Sequence, residues 1–311
     1  MKSDAVFEGG GMRGIGIIGA LSYFESLGYE WMRVAGTSCG ALIAALVASG
    51  YSAKELKKMM IETDYNKFLD KEKLQKLPVV GKALGFFKDK AMYSGDYIEK
   101  WISNLLKAKG VEKFKDLTID GVCKIKIIAS DITQKTILVL PDDLPKYNID
   151  PMEFEVAKAI RMSISIPFYF KPVKLTYDDN VSYIVDGGVT CNFPIEIFDV
   201  EGVPRWPTIG FKFFTGNDSN SLKGKHDALS FLFDIAGTIA RGISADCLKP
   251  HNIQRTVFIP TVGIGITDFN INKDKSLQLY KSGYRSAMDF LDKWDFEQYI
   301  KTHRSKNIIS A

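Results

Sequence analysis

The five residues Gly36-Thr37-Ser38-Cys39-Gly40 match the pattern G-x-S-x-G and lie between a predicted strand and a predicted helix. In a nucleophile elbow, a sharp strand-to-helix turn lifts the serine hydroxyl out of the backbone beside a helix N-terminus, and small residues must flank it. Ser38 is therefore the candidate nucleophile. The same residues also fit a glycine-rich turn in which Ser38 only caps the helix that follows.

A second glycine-rich segment, Gly9-Gly10-Gly11-Met12-Arg13-Gly14, follows the first predicted strand and opens the first predicted helix. It matches the dinucleotide pattern G-x-G-x-x-G, but that use needs an acidic residue at the end of the second strand, and Glu30 precedes that strand. Exposed amides at a helix N-terminus also stabilise an oxyanion, which is the use we favour. Arg13 would add positive charge near an acyl oxygen or lipid phosphate, or would be a surface arginine or part of a structural ion pair.

A serine nucleophile needs a base, and histidine is the usual one. The three histidines, His226, His251 and His303, lie in polar or charged contexts without a recognisable strand-end turn. The run Tyr183-Ile184-Val185-Asp186-Gly187-Gly188 instead places Asp186 directly after an apolar strand, although Asp-Gly pairs are also typical of ordinary turns. Three such motifs, each at a strand end, favour a shared site because α/β sheets build their sites there.

Helical patterns alternate with short β-branched and aromatic runs, which predicts an α/β fold with a mostly parallel sheet. The predicted strands are Ala5–Glu8, Met32–Ala35, Val122–Ala129, Thr136–Leu140, Tyr183–Val185, Thr208–Phe214 and Thr256–Pro260. The predicted helices are Ile17–Leu27, Ala41–Val47, Gly95–Lys107, Met152–Arg161, Ala228–Ser244 and Lys273–Trp294.

The chain shows no internal repeat and no long linker, so residues 1–311 are expected to form one domain. The motifs occupy residues 4–200, and residues 201–311 are interpreted as the C-terminal part of the same domain. The lysine-rich segment Ser52–Lys90 is interpreted as an inserted cap or lid.

Composition narrows the function classes. With 46% hydrophobic and 25% charged residues, the chain is neither disordered nor a coiled coil, and a net charge of +4 is too small to indicate a nucleic-acid partner. The apolar stretch Ala41–Ala48 is too short to span a bilayer, and the N-terminus does not resemble a signal peptide. The four cysteines have no metal-site spacing, which predicts reduced thiols and no metal. The missing signal peptide and the unpaired cysteines together predict a cytoplasmic location, and the mild positive charge would suit peripheral contact with an anionic membrane surface.

The ordered motifs resemble the patatin-like phospholipase family. Gly9–Gly14 looks like its oxyanion loop, Gly36–Gly40 like its serine elbow, and Asp186-Gly187-Gly188 like its aspartate turn. Arg161–Pro172 and Asn192-Phe193-Pro194 are similar to two further blocks, so that the resemblance covers roughly Asp4 to Ile197. Cys39 departs from the pattern, since alanine or glycine is common after the nucleophile.

The resemblance implies a three-layer α/β/α fold and hydrolysis of fatty acyl esters of phospholipids or related lipids, without calcium or another cofactor. A Ser38–Asp186 dyad would form an acyl-enzyme, with the amides around Gly10 and Gly11 holding the oxyanion. Partial burial should raise the pKa of Asp186 and hence its basicity. Leu77–Tyr93, apolar with interleaved lysines, would either contact the membrane or pack on the body as a lid.

Three other functions stay open at this level. They are a catalytically silent or partner-activated lipid-binding protein, a nucleotide-binding enzyme that uses Gly9–Gly14, and a small-ester esterase or transacylase. The preferred lipid headgroup, the position of the cleaved ester and the oligomeric state are not determined by the sequence.

Overall fold

The computed structural model describes residues 1–69, 91–214, 249–266 and 268–304. The strands are β1 Lys2–Phe7, β2 Glu30–Thr37, β3 Ala91–Tyr93, β4 Thr118–Ile119, β5 Val122–Cys123, β6 Ile125–Asp131, β7 Thr136–Leu140, β8 Phe168–Phe170, β9 Val173–Tyr177, β10 Asn180–Asp186, β11 Thr208–Phe214 and β12 Thr256–Pro260. The helices are α1 Gly14–Ser26, α2 Cys39–Ala48, α3 Ala53–Glu62, α4 Asp96–Lys107, α5 Val156–Ser163, α6 Pro250–Gln254, α7 Lys273–Leu291 and α8 Phe296–His303.

The main sheet connects its strands in the order β12-β11-β1-β2-β6-β10-β9, with β2 and β10 end to end on one edge of β6 and β7 on its other edge. Strands β12, β11, β1, β2 and β6 are mutually parallel, whereas β10, β9 and β7 join by antiparallel pairing. The predicted α/β class with a mostly parallel central sheet is therefore confirmed.

Side chains on β1 and β2 alternate between two apolar layers, as the two-residue period of a strand requires. Ala5, Phe7 and Val34 belong to the large core formed with the helices. Val6 and Ala35 point the other way and pack with side chains of residues 193–198. Both faces of these central strands are thus covered, which is why the second half of β1, Ala5-Val6-Phe7, is apolar at every position.

The C-terminal part of the chain packs on the N-terminal part. β11 pairs in parallel with β1, and α7 lies along α1. α3, the described helix of the segment interpreted as a cap, also packs on α1, with Leu56 fully buried in the core. Residues 70–90 of that segment, and most of the apolar stretch Leu77–Tyr93, lie outside the described residues.

The structure corrects two predicted elements. The run Val122–Ala129 is split: residues 122–123 pair with β4, and the main-sheet strand begins at Ile125. The helix expected from Met152 begins at Val156, because the backbone of Met152 and Phe154 accepts hydrogen bonds from residues 114–115. The short strands β3, β8 and β9 were not predicted, and the predicted helix Ala228–Ser244 lies outside the described residues.

Candidate active site

The site lies where β2 and β10 meet end to end on one edge of β6. Thr37, the last residue of β2, pairs with Ile128, and Asp186, the last residue of β10, pairs with Ala129. β7 occupies the opposite edge of β6, since it pairs with residues 127–131. β2 and β10 therefore run toward each other along the same edge, and the residues at their C-terminal ends come together.

Ser38 occupies the turn between β2 and α2 with φ 55° and ψ −122°, a conformation that a residue with a side chain rarely adopts. Its hydroxyl donates to Asp186 Oδ2 at 2.7 Å rather than capping α2. The side chain is 7% exposed. This is the strained turn from strand to helix that a nucleophile elbow requires.

Backbone and side-chain contacts hold Asp186 in place. Its Oδ1 accepts the Gly188 N–H at 2.7 Å, its own N–H donates to the Ser165 carbonyl at 2.9 Å, and its carbonyl accepts the Ser130 hydroxyl at 2.9 Å. Burial raises the pKa of Asp186 to about 6, although the bonds from Ser38 and Gly188 lower it in part. A carboxylate with this pKa is a stronger base than an exposed aspartate.

Gly187 lets the ends of β2 and β10 approach each other. A Cβ on Gly187 would lie 2.7 Å from the Ile128 carbonyl carbon, closer still to its oxygen, and 2.9 Å from Thr37 Cγ2. These distances are shorter than real Cβ contacts, and two of the atoms belong to the backbone. A side chain at this position would therefore push Asp186 away from the end of β2.

The glycine-rich loop lies against the elbow. A Cβ on Gly9 would be 3.3 Å from Ser38 Cβ. The Gly9 N–H donates to the Asn192 carbonyl at 3.1 Å, and the Asn192 side-chain amide donates to the Gly9 carbonyl at 3.0 Å. The Gly10 N–H points at Cys39 Sγ, 3.2 Å away. Residues Gly11–Arg13 then form a single 3-10 turn that leads into α1.

The loop that follows β12 supports the glycine-rich loop from outside. The Met12 N–H donates to the Ile266 carbonyl at 3.0 Å, and Arg13 Nε donates to the Ile264 carbonyl at 2.7 Å. Arg13 therefore contributes to the structure of the loop through a hydrogen bond to a backbone carbonyl.

A buried ion pair fixes the end of β1 just before the loop. Glu8 Oε1 pairs with Lys212 Nζ of β11, and Glu8 Oε2 accepts the Phe213 N–H at 2.6 Å. Burial raises the pKa of Glu8, and Lys212 offsets part of that rise. Because these bonds join the end of β1 to β11, they help to hold the loop in register with β11. Removing one member of the pair would leave an uncompensated buried charge.

Cys39 follows Ser38 but is not a competing nucleophile. Burial, together with the nearby carboxylates of Asp186 and Glu8, raises the pKa of its thiol to about 12. The thiolate is the reactive form of cysteine, and this thiol stays protonated at neutral pH. The sulfur instead accepts the Gly10 N–H.

His251, His303 and Glu30 lie away from this edge. His251 contacts Glu196 at 3.4 Å and His303 contacts Gln254 at 2.6 Å, beside α6, which precedes the N-terminal end of β12. Glu30 begins β2, at the opposite end of that strand from Ser38, so the dinucleotide interpretation has no acidic residue at the required place. His226 lies outside the described residues.

Two serines to which the sequence analysis assigned no role contact Ser38 and Asp186. The Ser163 hydroxyl accepts the Ser38 N–H at 2.8 Å, and the Ser165 carbonyl accepts the Asp186 N–H. Both lie in the Arg161–Pro172 block, and their spacing of two residues was the sequence signal that could have identified them. The pattern does not specify which of their atoms contact Ser38 and Asp186.

Within residues 1–69, 91–214, 249–266 and 268–304, no three His, Cys, Asp or Glu side chains cluster as metal ligands. No helix in the described part of the chain combines the length and the apolar character needed to cross a bilayer.

Known proteins resemble this chain along most of its length. The protein YqhO of Bacillus subtilis (strain 168) is 38% identical over 297 residues, which cover 95% of this chain and 100% of YqhO. A protein of Invertebrate iridescent virus 6, named probable lipid hydrolase 463L, is 27% identical over 196 residues and covers 62% of this chain and 61% of its own.

Among solved structures, VipD from Legionella pneumophila superimposes with a TM-score of 0.57 at 18% identity, covering 93% of this chain and 66% of VipD. At that identity the likeness concerns the fold. The sequence profile of the patatin-like phospholipases matches residues 5–199, which hold the glycine-rich loop, the elbow and the aspartate turn. The chain therefore belongs to the patatin-like phospholipase family.

Proposed function

We propose that this protein is a lipid acyl hydrolase that cleaves fatty acyl esters of phospholipids or related lipids with a Ser38–Asp186 dyad. The observation that carries the proposal is the 2.7 Å hydrogen bond from Ser38 Oγ to a buried carboxylate, in an elbow turn where the C-terminal ends of β2 and β10 meet. Membership of the family and the lipid hydrolase name of the viral relative support the substrate class.

The dyad supports a two-step mechanism. Asp186 takes the proton of Ser38 as Ser38 Oγ bonds to the ester carbonyl carbon, and it gives that proton to the leaving alcohol as the tetrahedral intermediate collapses to the acyl-enzyme. Water then attacks the acyl-enzyme, and Asp186 again accepts the proton. The fatty acid is released and the Ser38 hydroxyl is restored.

The amides of Gly10 and Gly11 are the donors that we propose for the oxyanion. The Gly10 N–H faces the Cys39 sulfur, and sulfur is a weak hydrogen-bond acceptor. A negatively charged oxygen is a much stronger acceptor, so it would displace the sulfur from the Gly10 amide as charge develops on the substrate.

We further propose that residues 1–311 form one domain that acts peripherally at a membrane surface in the cytoplasm. The pairing of β11 with β1 and the packing of α7 on α1 support one domain, because the C-terminal part completes the sheet and the core that carry the site. The unpaired thiols Cys39, Cys123 and Cys191 support a reducing compartment.

The proposal is tested by the release of free fatty acid from mixed phospholipid vesicles in the presence of a calcium chelator. We expect fatty acid release that chelation leaves unchanged, because neither proposed step uses a metal. Full dependence on added Ca²⁺ would contradict the mechanism. No fatty acid release, together with binding to the vesicles, would favour a catalytically silent or partner-activated lipid-binding protein.

The pH dependence of turnover is a second expected result. Asp186 accepts a proton only when it is ionised, and its pKa is raised to about 6. We expect kcat for a soluble short-chain ester to rise with pH, to be half-maximal near pH 6 and to reach a plateau above it. Initial rates between pH 4 and 9 measure this profile, and a rate that is constant from pH 5 to 8 would exclude Asp186 as the base.

A further inference from the structure

The segment from Arg161 to Ser165, at the end of α5, contacts both members of the dyad. The Ser163 hydroxyl accepts the Ser38 N–H at 2.8 Å and donates to the Ile128 carbonyl at 2.5 Å. It therefore bridges the elbow to β6 at the position where β2 ends. Ser163 is fully buried.

Ser165 and Arg161 extend this connection to the base. The Ser165 carbonyl accepts the Asp186 N–H at 2.9 Å, while the Ser165 hydroxyl donates to the Arg161 carbonyl at 2.6 Å and accepts Arg161 Nη1 at 2.5 Å. The buried Arg161 guanidinium also donates to the carbonyls of Ser94, at 2.6 Å, and Lys171, at 2.8 Å. One anchored segment thus holds the backbone amides of both Ser38 and Asp186.

The conformation of Ser38 requires such support. A residue with a side chain at φ 55° and ψ −122° is strained, and it persists only where the surrounding structure holds it. The Ser38 N–H points into a buried region, where an amide without an acceptor is costly. The Ser163 hydroxyl supplies that acceptor and is itself satisfied through Ile128.

We propose that Ser163 is a positioning residue for the reaction, holding Ser38 in the elbow conformation so that its hydroxyl stays within hydrogen-bond distance of Asp186. Ser165 holds the Asp186 backbone from the same segment, and Arg161 anchors that segment. This inference rests on the proposed function, since it assigns Ser163 a role in the chemistry of Ser38.

The test compares Ser163→Ala with Ser182→Ala in the full chain. Ser182 is also fully buried and hydrogen-bonded, to the Tyr177 hydroxyl at 3.3 Å, but it lies four residues before Asp186 and does not contact the dyad. Hydrolysis of p-nitrophenyl butyrate measures kcat, KM and their pH profiles. Thermal unfolding measures the stability of each variant, and rates are measured well below the unfolding midpoint of the less stable variant.

A second readout is the rate at which Ser38 reacts with an alkyl fluorophosphonate. In that reaction Ser38 Oγ bonds to phosphorus, fluoride leaves, and the Ser38 proton passes to Asp186. Ser38→Ala is the control for both readouts. Turnover or labelling that persists in Ser38→Ala would overturn the proposed function itself, and so would a wild-type protein that neither turns over nor labels.

For Ser163→Ala we expect kcat and the labelling rate to fall about tenfold or more relative to Ser182→Ala, with KM little changed. The acidic limb of the pH profile should also move to higher pH, because the bond from Ser38 lowers the pKa of Asp186 and would be weakened. If Ser163→Ala matches Ser182→Ala in kcat, labelling and pH profile while Ser38→Ala is inactive, the positioning role is wrong and the proposed function stands.

Discussion

Replacing Ser38 by alanine, or Asp186 by asparagine, is expected to lower fatty acid release at least about 10³-fold, because each change removes a member of the proposed nucleophile–base pair. Asparagine is nearly the same size as aspartate and still accepts hydrogen bonds, but it cannot take the Ser38 proton. Release from vesicles and hydrolysis of a soluble ester should fall together, since both require the same attack.

Asp131→Asn is the matched control for the base. Asp131 is a buried aspartate at the end of β6 whose carboxylate accepts the Tyr147 hydroxyl at 2.8 Å, away from Ser38. We expect this variant to retain turnover wherever it is folded. Substantial hydrolysis by both Ser38→Ala and Asp186→Asn would remove the dyad mechanism.

Asp186→Asn should also change stability in a pH-dependent way. The pKa of Asp186 is about 6 in the folded state and near 3.8 in the unfolded chain, so folding favours its protonated form. Its contribution to stability is therefore fully present below the unfolded pKa and is lost as the pH rises through about 6. At pH 8, urea unfolding should show Asp186→Asn more stable than the wild type, on the order of 2 kcal/mol, with a smaller difference at pH 5.

The second large effect is expected for Gly187→Ala. The new Cβ would collide with the Ile128 carbonyl and with Thr37, and the strands on both sides limit how far it can move. Overpacking of this kind costs about 1–3 kcal/mol, and a displacement of about 1 Å in a catalytic group lowers turnover about 100-fold. We expect both effects, measured by urea unfolding and by kcat for a soluble ester.

Gly188→Ala provides a graded comparison within the same turn. Its Cβ would lie 3.0 Å from Asp186 Oδ1 and 3.1 Å from Asn192 Oδ1, both side-chain atoms that can shift by a few tenths of an ångström. We therefore expect a smaller loss of stability and of kcat. Equal effects of the two substitutions would show that the close approach at Gly187 does not determine the position of Asp186.

The sequence by itself determined the local pieces of this site. Ser38 between small residues after a strand, Asp186 before two glycines and the glycine-rich loop before α1 are all signals within about six residues. Alternating strands and helices likewise predicted the fold class, because hydrophobic periodicity is a short-range property. The catalytic roles of these residues stay predictions for the experiments above.

Only the tertiary structure decided how these pieces meet. Ser38 and Asp186 are 148 residues apart in the chain, and their hydrogen bond depends on β2 and β10 sharing one edge of β6. The late start of α5 and the contact of Ser163 with Ser38 likewise arise from distant partners. Local patterns specify which face of an element a side chain occupies and which turn the backbone makes. Strand order and register are set by the packing of the whole sheet, and no short window of sequence contains that information.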